Sequence, residues 1–470
     1  MKTMYETVIG LEVHVELKTD GKLFCKCKNR FGDKINTNCC EICTGLPGAI
    51  PVFNEECLIP AVKTGLILNC KISEKTRFDR KNYFYPDLPK GYQISQLYEP
   101  FATDGHIDLP RSGKTIRIRE VHMEDDAAKL MYEDGRTVVD YNRCGVPLVE
   151  IVTMPDFRTS DEVTEFMEIL RKDLRAAGVT DGRLEQGSMR ADINLSVRKE
   201  GENFGTRTET KNMASFKAIA KAIEEETKRQ ISVLEKGGKV SQQTMRFDEE
   251  ALSIEVMRTK ENSDDYKYFP DPDLPYITIS EEFSRKIRDM IPELPSQKER
   301  RFSEEFGLRD EDAKVICRSD DVADVFEKAA KISGLNEETA SLLLTHIASS
   351  EKLPAPEALA KTAMLMAGGK ISAGMAKTLL TEVSETGEDP DEYVEKRGFI
   401  RITDDGLIAD AVDKVLADGD NARAISDFKS GKDKVLGFLV GKAMRELKGR
   451  GDAEKVRLIL LNKLVGDIDG

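Results

Sequence analysis

The chain has 470 residues, of which 40% are apolar and 33% charged, a composition typical of a globular protein, and its length predicts roughly three domains. The net charge of −14 excludes a surface that coats nucleic acid or an anionic membrane as a whole, so any nucleic-acid contact must come from a local basic region. No stretch approaches the ~18 apolar residues that span a bilayer, and the chain does not start with an apolar secretory segment, so we expect a cytoplasmic protein without membrane contact.

Two short segments near the start of the chain and around residue 120 share one pattern. Residues 12–16 read Glu-Val-His-Val-Glu and residues 120–124 read Glu-Val-His-Met-Glu, and together they hold two of the four histidines. Because successive side chains of a β-strand point to opposite faces, one face of each strand carries Glu12, His14 and Glu16 or Glu120, His122 and Glu124. Two such strands side by side would offer ligands for a divalent metal; the alternative is that both faces are solvated.

The cysteines are informative through their clustering. Nine cysteines are too few for a disulfide scaffold in a chain of this length. Two close pairs are separated by twelve residues, namely Cys25 with Cys27 and Cys40 with Cys43. Four thiolates at this spacing would close a structural zinc site. Cys39, beside Cys40, leaves the fourth ligand open, and buried free cysteines are the alternative.

Further polar residues follow in the sheet-rich part of the chain. Glu150 lies in an apolar strand just after a Gly/Pro turn, which makes it a third source of metal ligands. Lys211 is expected at the entry to a helix, where lysine and the N-terminal amides could hold phosphate. Residues 185–196 suggest the lining of a polar cavity, because one strand face carries Ser188, Arg190, Asp192, Asn194 and Ser196. For each of these features the alternative is an exposed sheet face.

Residues 1–294 are rich in strand-like alternation, with two predicted helices at about 161–177 and 214–236, each ended by glycine. After Pro292 and Pro295 the composition changes to Ala, Leu, Lys and Glu with helical periodicity, which favours a domain boundary. A weaker boundary lies near residues 385–402. The predicted fold class is α+β, with a sheet-rich domain followed by two helical modules, at residues 1–294, 295–401 and 402–470.

The C-terminal module supplies the local basic region. Between residues 429 and 463 ten lysines and arginines stand against four acids, which suits contact with a phosphate backbone, although a solvated helical face is the alternative. The candidate nucleic-acid contacts are Lys432, Lys434, Lys442, Arg445, Lys448 and Arg450. The chain has no phosphate-binding Gly-rich loop and no amidase signature. A nucleotide would therefore bind through metal and cationic side chains on a sheet.

Five longer motifs resemble one family, the B subunits of the tRNA-dependent Asp/Glu amidotransferases. They are GLEVH at 10–14, DRKNYFYP at 79–86, NRCGVPLVE at 142–150, YKYFPDPD at 266–273 and GFLVG at 437–441. The resemblance covers essentially the whole chain in order. It implies a cradle of antiparallel sheet similar to glutamine synthetase, then a helical domain and a small helical tail that contacts tRNA outside its acceptor end.

The resemblance also implies an activity. ATP phosphorylates the side-chain carboxylate of Glu on tRNA(Gln) or Asp on tRNA(Asn), and ammonia then displaces the phosphate to leave the amide. The implied partners are a glutaminase (amidase) A subunit and a small C subunit in a heterotrimer, together with tRNA(Gln) or tRNA(Asn). The implied cofactors are ATP, magnesium and, in members that keep the cysteines, structural zinc.

The roles of single residues follow from the same resemblance. The implied magnesium ligands are Glu12, His14, Glu150 and an acid of the segment 124–125. The family usually has Glu-Glu-Asp-Ala-Gly-Lys where this chain has Glu-Asp-Asp-Ala-Ala-Lys at 124–129, so either Glu124 or Asp125 could be that ligand. The residues expected to line the phosphorylation pocket are Ser188, Arg190, Asp192 and Lys211, with Lys81 and Tyr83 as ATP or substrate contacts.

Two other functions fit the same features. A stand-alone ATP-dependent carboxylate–ammonia ligase would use the same acidic site without RNA. A zinc-stabilised RNA-binding scaffold would need no ATP turnover. The sequence leaves open whether Glu-tRNA(Gln), Asp-tRNA(Asn) or both are substrates.

Overall fold

The computed structural model describes residues 5–213, 215–248, 253–259, 266–430 and 432–466. The chain divides into two compact units, residues 1–296 and 297–470. The first unit has a large, mostly antiparallel sheet, and the named elements of the second unit are helical. The predicted α+β class, with sheet first and helices after it, is confirmed at this level.

The first unit combines short and long strands with helices. Its strands are β1 (Tyr5–Glu16), β2 (Lys71–Ile72), β3 (Lys75–Thr76), β4 (Asp79–Asn82), β5 (Tyr92–Ser95), β6 (Ala102–Leu109), β7 (Lys114–Asp125), β8 (Lys129–Glu133), β9 (Arg136–Asp140), β10 (Pro147–Thr153), β11 (Met189–Lys199), β12 (Thr208–Met213), β13 (Gln243–Asp248), β14 (Ser253–Thr259), β15 (Phe269–Pro270) and β16 (Ile277–Thr278). Its helices are α1 (Leu58–Ile67), α2 (Ser160–Ala176), α3 (Phe216–Glu235) and α4 (Glu281–Asp289).

The main sheet has nine strands in the order β14-β13-β12-β11-β1-β10-β7-β6-β2. Every neighbouring pair is antiparallel except β12 with β13, which are parallel. β1 is therefore a central strand, held on one side by β10 and on the other by β11. The strands next to it come from distant parts of the chain, so the site residues that they carry meet only in the folded sheet.

One face of the sheet is apolar and packs against helices. In β1 this face carries Leu11, Val13 and Val15, which are almost completely buried. Buried side chains of α1, α2 and α3 belong to the same hydrophobic cluster. Period-two alternation thus leaves the acids and the histidine of β1 on the opposite face, away from the helices.

The two helices predicted in the first unit are confirmed to within about two residues. α2 begins after Thr159, whose hydroxyl accepts a hydrogen bond from the amide of Glu162, and it is followed by Gly178 at φ +70°. α3 begins after Ser215, which caps it in the same way, two residues later than the predicted start. Residue 214 lies outside the described residues.

The second unit is an array of helices whose bounds are α5 (Pro295–Phe306), α6 (Asp310–Ile316), α7 (Asp320–Ser333), α8 (Asn336–Ile347), α9 (Pro356–Ala367), α10 (Ala373–Thr386), α11 (Pro390–Arg397), α12 (Asp405–Ala417), α13 (Ala422–Lys429), α14 (Leu436–Glu446) and α15 (Ala453–Gly466). Two hydrophobic cores lie in it, one within residues 302–394 and one within residues 408–464. The three-domain division of the chain stays a prediction. Among the described helices, none is both long and apolar enough to cross a membrane.

Because the second unit has two hydrophobic cores, we expect each core to unfold locally without the other. Leu439→Ala removes a fully buried side chain of the last core and should destabilise it by about 2–5 kcal/mol. Hydrogen exchange should then rise across residues 405–466 and stay unchanged across residues 302–394. Leu458→Ala, at a side chain that is 59% exposed, is the matched control and should change little. Equal loss of protection in both cores would contradict the separation.

Candidate active site

The polar face of the sheet is assembled by the register of four adjacent strands. His14 lies opposite Glu150 on β10 and opposite Arg190 on β11. Glu150 in turn lies opposite His122 on β7. One row across the sheet therefore reads Arg190, His14, Glu150, His122, and the next row places Glu12 opposite Asp192. The two halves of the repeated Glu-x-His-x-Glu pattern thus face the same side, separated by β10.

The first candidate metal cluster consists of His14, Glu124 and Glu150. The Nε2 atom of His14 lies 3.3 Å from Glu124 Oε1 and 3.4 Å from Glu150 Oε2. One ligand atom from each residue lies within 4.8 Å of the others. His122 supports the cluster from the side, because its Nε2 lies 3.0 Å from Glu150 Oε2. An imidazole and two carboxylates in this space suit a divalent cation.

The pKa shifts of His14 and Glu150 indicate that this cluster favours positive charge. Burial lowers the pKa of His14, but the charge of Glu150 and the hydrogen bonds with Glu124 and Glu150 outweigh burial and raise this pKa to about 10. Burial raises the pKa of Glu150, and the charges of His122 and His14 overcome this and hold it well below its usual value. Glu150 thus stays ionised, and His14 keeps its proton.

A second acidic cluster lies beside the first and consists of Glu12, Asp192 and Glu209, with one oxygen from each within 4.8 Å of the others. Lys211 Nζ lies 3.4 Å from Asp192 Oδ2 and 3.6 Å from Glu209 Oε1. Asn194 donates a hydrogen bond of 3.0 Å to Glu12 Oε1. The structure therefore groups Glu12 with the residues of β11 and β12, although the sequence grouped it with His14.

The predicted place of Lys211 is wrong. Lys211 lies within the strand β12, and the following helix is capped by Ser215 instead. Its ammonium group reaches the second acidic cluster from the sheet surface. Its neighbours at the site are therefore carboxylates and not the N-terminal amides of a helix.

Of the two acids that the sequence left open, the structure brings only Glu124 to the first cluster. Asp125 is the next residue of β7 and points to the other face. There its carboxylate pairs with the ammonium group of Lys90 and accepts a 2.7 Å hydrogen bond from the amide of Ile94. This geometry contradicts the inclusion of Asp125 among the magnesium ligands.

A cavity of about 430 Å³ opens over the two clusters. Its walls combine acids of both clusters with cations and aromatic rings from several strands. The lining includes Glu12, Glu150, Glu209, Lys81, Arg119, Arg207, Lys211, Thr244, Tyr266 and Tyr268. Anionic phosphates and carboxylates would find both metal ligands and direct cationic partners here.

Lys81 lines this cavity, and Tyr83 contacts the lining residue Tyr266 from outside the lining. Lys81 Nζ lies 5.4 Å from the centroid of the Tyr266 ring, and the ring of Tyr83 packs 5.8 Å from that of Tyr266. Burial lowers the pKa of Lys81, but the charges of Tyr268, Glu124 and Glu150 raise it above its usual value. Lys81 therefore remains a permanent cation at the cavity.

Two predicted residues are held away from the cavity. The hydroxyl group of Ser188 donates a 2.5 Å hydrogen bond to Asp181 and accepts one from the amide of Arg183. Arg190 forms two hydrogen bonds, of 3.2 and 3.1 Å, with the carboxylate of Asp126. Neither side chain lines the cavity, and neither does Asp192. Ser188 is held in the turn that precedes β11, and Arg190 lies opposite His14 on β11.

Sequence reasoning missed several residues of the cavity wall. Glu209 had a signal, because it stands two residues before Lys211 and must share its strand face. Thr244 had none, because its place opposite Glu209 depends on the pairing of β12 with β13. The parallel pairing of strands separated by α3 cannot be read from alternation alone.

The four predicted zinc ligands come together in the loop after β1. Sulfur atoms of Cys25, Cys27, Cys40 and Cys43 lie within 4.8 Å of one another. The Sγ atoms of Cys40 and Cys43 are 3.9 Å apart, and sulfurs around a tetrahedral zinc ion with Zn–S bonds of ~2.3 Å stand about 3.8 Å apart. Cys39 is turned aside and contacts the carbonyl of Asn36. The donor set fits zinc, and the fourth sulfur of the cluster belongs to Cys40 rather than to Cys39.

The six candidate tRNA contacts of the last module differ in their surroundings. Lys432 pairs with Asp427 at 2.8 Å, and Arg450 donates a 2.6 Å hydrogen bond to the carbonyl of Gly398. Lys442 Nζ lies 5.6 Å from the centroid of the exposed Phe438 ring. The remaining three, Lys434, Arg445 and Lys448, are exposed.

Comparison with known proteins agrees with this arrangement. A family model described as the GatB/GatE catalytic domain matches residues 7–285, and one described as the GatB domain matches residues 324–464. The chain belongs to the family of amidotransferase B subunits. The family and the enzyme class predicted from the sequence, a glutamine-dependent amidotransferase, are therefore confirmed.

Individual members of the family match the chain over almost its full length. The B subunit of the aspartyl/glutamyl-tRNA(Asn/Gln) amidotransferase of Lachnoclostridium phytofermentans is 45% identical over 97% of this chain and 98% of its own length. The proteins of the same name from Carboxydothermus hydrogenoformans and Brevibacillus brevis are each 44% identical, over 98% and 99% of this chain and 99% and 98% of their own lengths.

The raised pKa of His14 predicts a pH-dependent stability in protein freed of divalent metal. Protonated His14 should stabilise the fold fully below about pH 6.5, the value in the unfolded chain, and this stabilisation should disappear as the pH rises towards about 10. The measurement is the free energy of unfolding in EDTA at several pH values, relative to His14→Gln. A difference between the two proteins that does not change with pH would refute the assignment.

Proposed function

We propose that this chain, with a glutaminase A subunit and a small C subunit, converts Glu-tRNA(Gln), Asp-tRNA(Asn) or both into the amidated aminoacyl-tRNAs. The observation that supports this most directly is the cavity, whose lining combines acids of both clusters with four cationic side chains, Lys81, Arg119, Arg207 and Lys211. Such a site can hold the phosphates of ATP and a substrate carboxylate together. The names of the matched relatives supply the tRNA substrates and indicate that other subunits exist.

The proposed reaction has two steps. A carboxylate oxygen of the aminoacyl side chain attacks the γ-phosphorus of ATP, which gives an acyl phosphate and ADP. Ammonia released by the glutaminase then attacks the carbonyl carbon, inorganic phosphate leaves, and one proton of the ammonia nitrogen is lost. Because both reactants of the first step are anions, positioning and charge neutralisation are the main tasks of the site.

We assign magnesium ligation to the two clusters on the sheet. His14, Glu124 and Glu150 would hold one ion, and Glu12, Asp192 and Glu209 would supply carboxylates for a second. Magnesium, when bound, would neutralise charge on the phosphates and on the attacking carboxylate. The proton that the carboxylates hold on His14 marks the place of positive charge in the metal-free chain.

The cationic residues have distinct proposed tasks. Lys211 lies against Asp192 and Glu209, so it can neutralise phosphate next to the second cluster. Lys81 lies among the tyrosines and is the candidate contact for the substrate carboxylate or the transferred phosphoryl group. Arg190 acts indirectly, through its place beside His14 and its paired bonds with Asp126.

The finer architecture is also part of the proposal. Residues 1–294 would form a cradle similar to glutamine synthetase, residues 295–401 a helical domain, and residues 402–470 a tail that contacts tRNA outside its acceptor end. The exposed Lys434, Arg445 and Lys448 support phosphate contact by the tail. Zinc would stiffen the cysteine loop without taking part in the reaction, because a site closed by four thiolates has no open position.

Glu124 and Asp125 offer a sharp test of the metal site. Glu124→Gln should raise the magnesium concentration for half-maximal ATP hydrolysis by at least about tenfold, because it removes a carboxylate ligand. Asp125→Asn is the matched control on the opposite strand face and should leave this magnesium dependence unchanged, even if the loss of the partner of Lys90 lowers stability. The reverse result would return the ligand role to Asp125.

Stimulation of ATP hydrolysis by charged tRNA separates the candidate functions. In the assembled heterotrimer, Glu-tRNA(Gln) should stimulate ATP hydrolysis, and His14→Gln or Glu150→Gln should abolish amide formation while tRNA still binds. Deletion of residues 402–470 should weaken tRNA binding.

The contrary results are equally specific. Full amide formation without the tail would favour a stand-alone carboxylate–ammonia ligase. Absence of ATP turnover would favour an RNA-binding scaffold. Activity retained in both site variants would refute the residue assignment.

A further inference from the structure

Lys22 is a completely buried lysine beside the cysteine cluster. Its side chain is 0% exposed. The Nζ atom donates hydrogen bonds of 2.7 Å to the carbonyl of Asn38, 2.7 Å to that of Cys144 and 3.3 Å to that of Tyr141. It also lies 3.7 Å from the Sγ atom of Cys43. The ammonium group thus joins the cysteine loop to the turn that precedes β10.

Within the part of the chain that the structure describes, Lys22 has no carboxylate partner. Carbonyl oxygens satisfy its three donors, but they carry no net charge to balance the ammonium group. Lysine is almost never fully buried unless it is paired, because removing a charge from water is costly. An anion near Lys22 is therefore expected from the physics of burial.

The cysteine cluster supplies that anion when it binds metal. Zinc takes cysteine as thiolate, so four cysteines around one Zn²⁺ carry a net charge of about −2. We propose that Lys22 is the counter-ion of this tetrathiolate site and a determinant of its metal affinity. The negative charge of the metal site lowers the free-energy cost of burying the ammonium group. The ammonium group in turn lowers the free-energy cost of bringing four thiolates together.

The effect of Lys22 on metal binding and the effect of bound metal on Lys22 must be equal in free energy. If the ammonium favours metal binding, bound metal must favour the buried position of Lys22 by the same free energy. That position ties Asn38 of the cysteine loop to Tyr141 and Cys144, which lie just before the strand that carries Glu150. Metal binding would therefore strengthen the attachment of the loop to the sheet.

The test uses the full chain and Zn²⁺ in competition with a chromophoric chelator. Lys22→Met keeps the length of the side chain and removes the charge, and it should weaken zinc binding by about 10- to 100-fold, the range for residues that contact metal ligands. Lys22→Arg keeps the charge and should restore part of the affinity. Thr44→Val is the matched control, because it removes a neutral 2.7 Å hydrogen bond to the carbonyl of Cys40 without changing charge.

Two further measurements separate charge compensation from simple scaffolding. Saturating Co²⁺ should give the same sulfur-to-cobalt absorption in Lys22→Met as in wild type, which would show that four thiolates still bind. Metal-free Lys22→Met should unfold no more easily than metal-free wild type, whereas the zinc-loaded variant should be the less stable of the loaded proteins. Lys22→Gln repeats the comparison with another uncharged side chain.

Three outcomes would overturn the proposal. One is a zinc affinity in Lys22→Met equal to that of wild type. The second is an equal loss of stability with and without zinc, which would mean that Lys22 only links carbonyl groups. The third is failure of both uncharged variants to fold without metal, since the ammonium would then be needed by the metal-free chain. These experiments measure metal binding and stability, not catalysis, so failure of the proposed catalytic function would leave their results unaffected.

Discussion

β1 pairs with β10 on one side and with β11 on the other, and its register decides which side chains share each face of the sheet. A shift of one residue would turn His14 towards the helices and expose Leu11, Val13 and Val15. Each of these apolar side chains contributes about 1.5–3 kcal/mol by burial, so the hydrophobic face holds the register firmly. The polar face thus owes its geometry to the core on the reverse side.

The polar face brings buried carboxylates close together although their charges repel each other. Glu124 is 2% exposed and Asp192 is 5% exposed, and neighbouring carboxylates repel each other at such burial. Protonated His14 and the nearby lysines relieve part of this repulsion in the metal-free chain. A divalent cation would relieve this repulsion further. The repulsion between the acids in the metal-free chain would therefore increase the affinity of the site for the cation. The strand register keeps the backbones of these acids adjacent.

Alternation in the sequence correctly placed Glu12 and His14 on one strand face, but it could not show that they join different clusters. Two residues along a strand are separated by roughly 7 Å, so the neighbouring strands decide the grouping. β11 and β12 bring Asp192 and Glu209 to Glu12, while β7 brings Glu124 to His14. Helix caps and periodicity are local, which is why α2 and α3 were predicted closely. The sheet order depends on pairings between distant segments, and these left no local signal.

Lys22 illustrates the same limit and also how the two sites are connected. A single lysine before a cysteine pair has no pattern that predicts complete burial. The large apolar side chains Phe31 and Ile35 of the loop between Cys25 and Cys43 are exposed, at 69% and 48%, so they contribute little hydrophobic packing. Hydrogen bonds must therefore hold the loop in place of hydrophobic packing. Those of Lys22 with Asn38 and with the turn at 141–144 are such bonds. Because β10 begins just after that turn and pairs directly with β1, the cysteine loop is anchored at the end of the strand that carries Glu150.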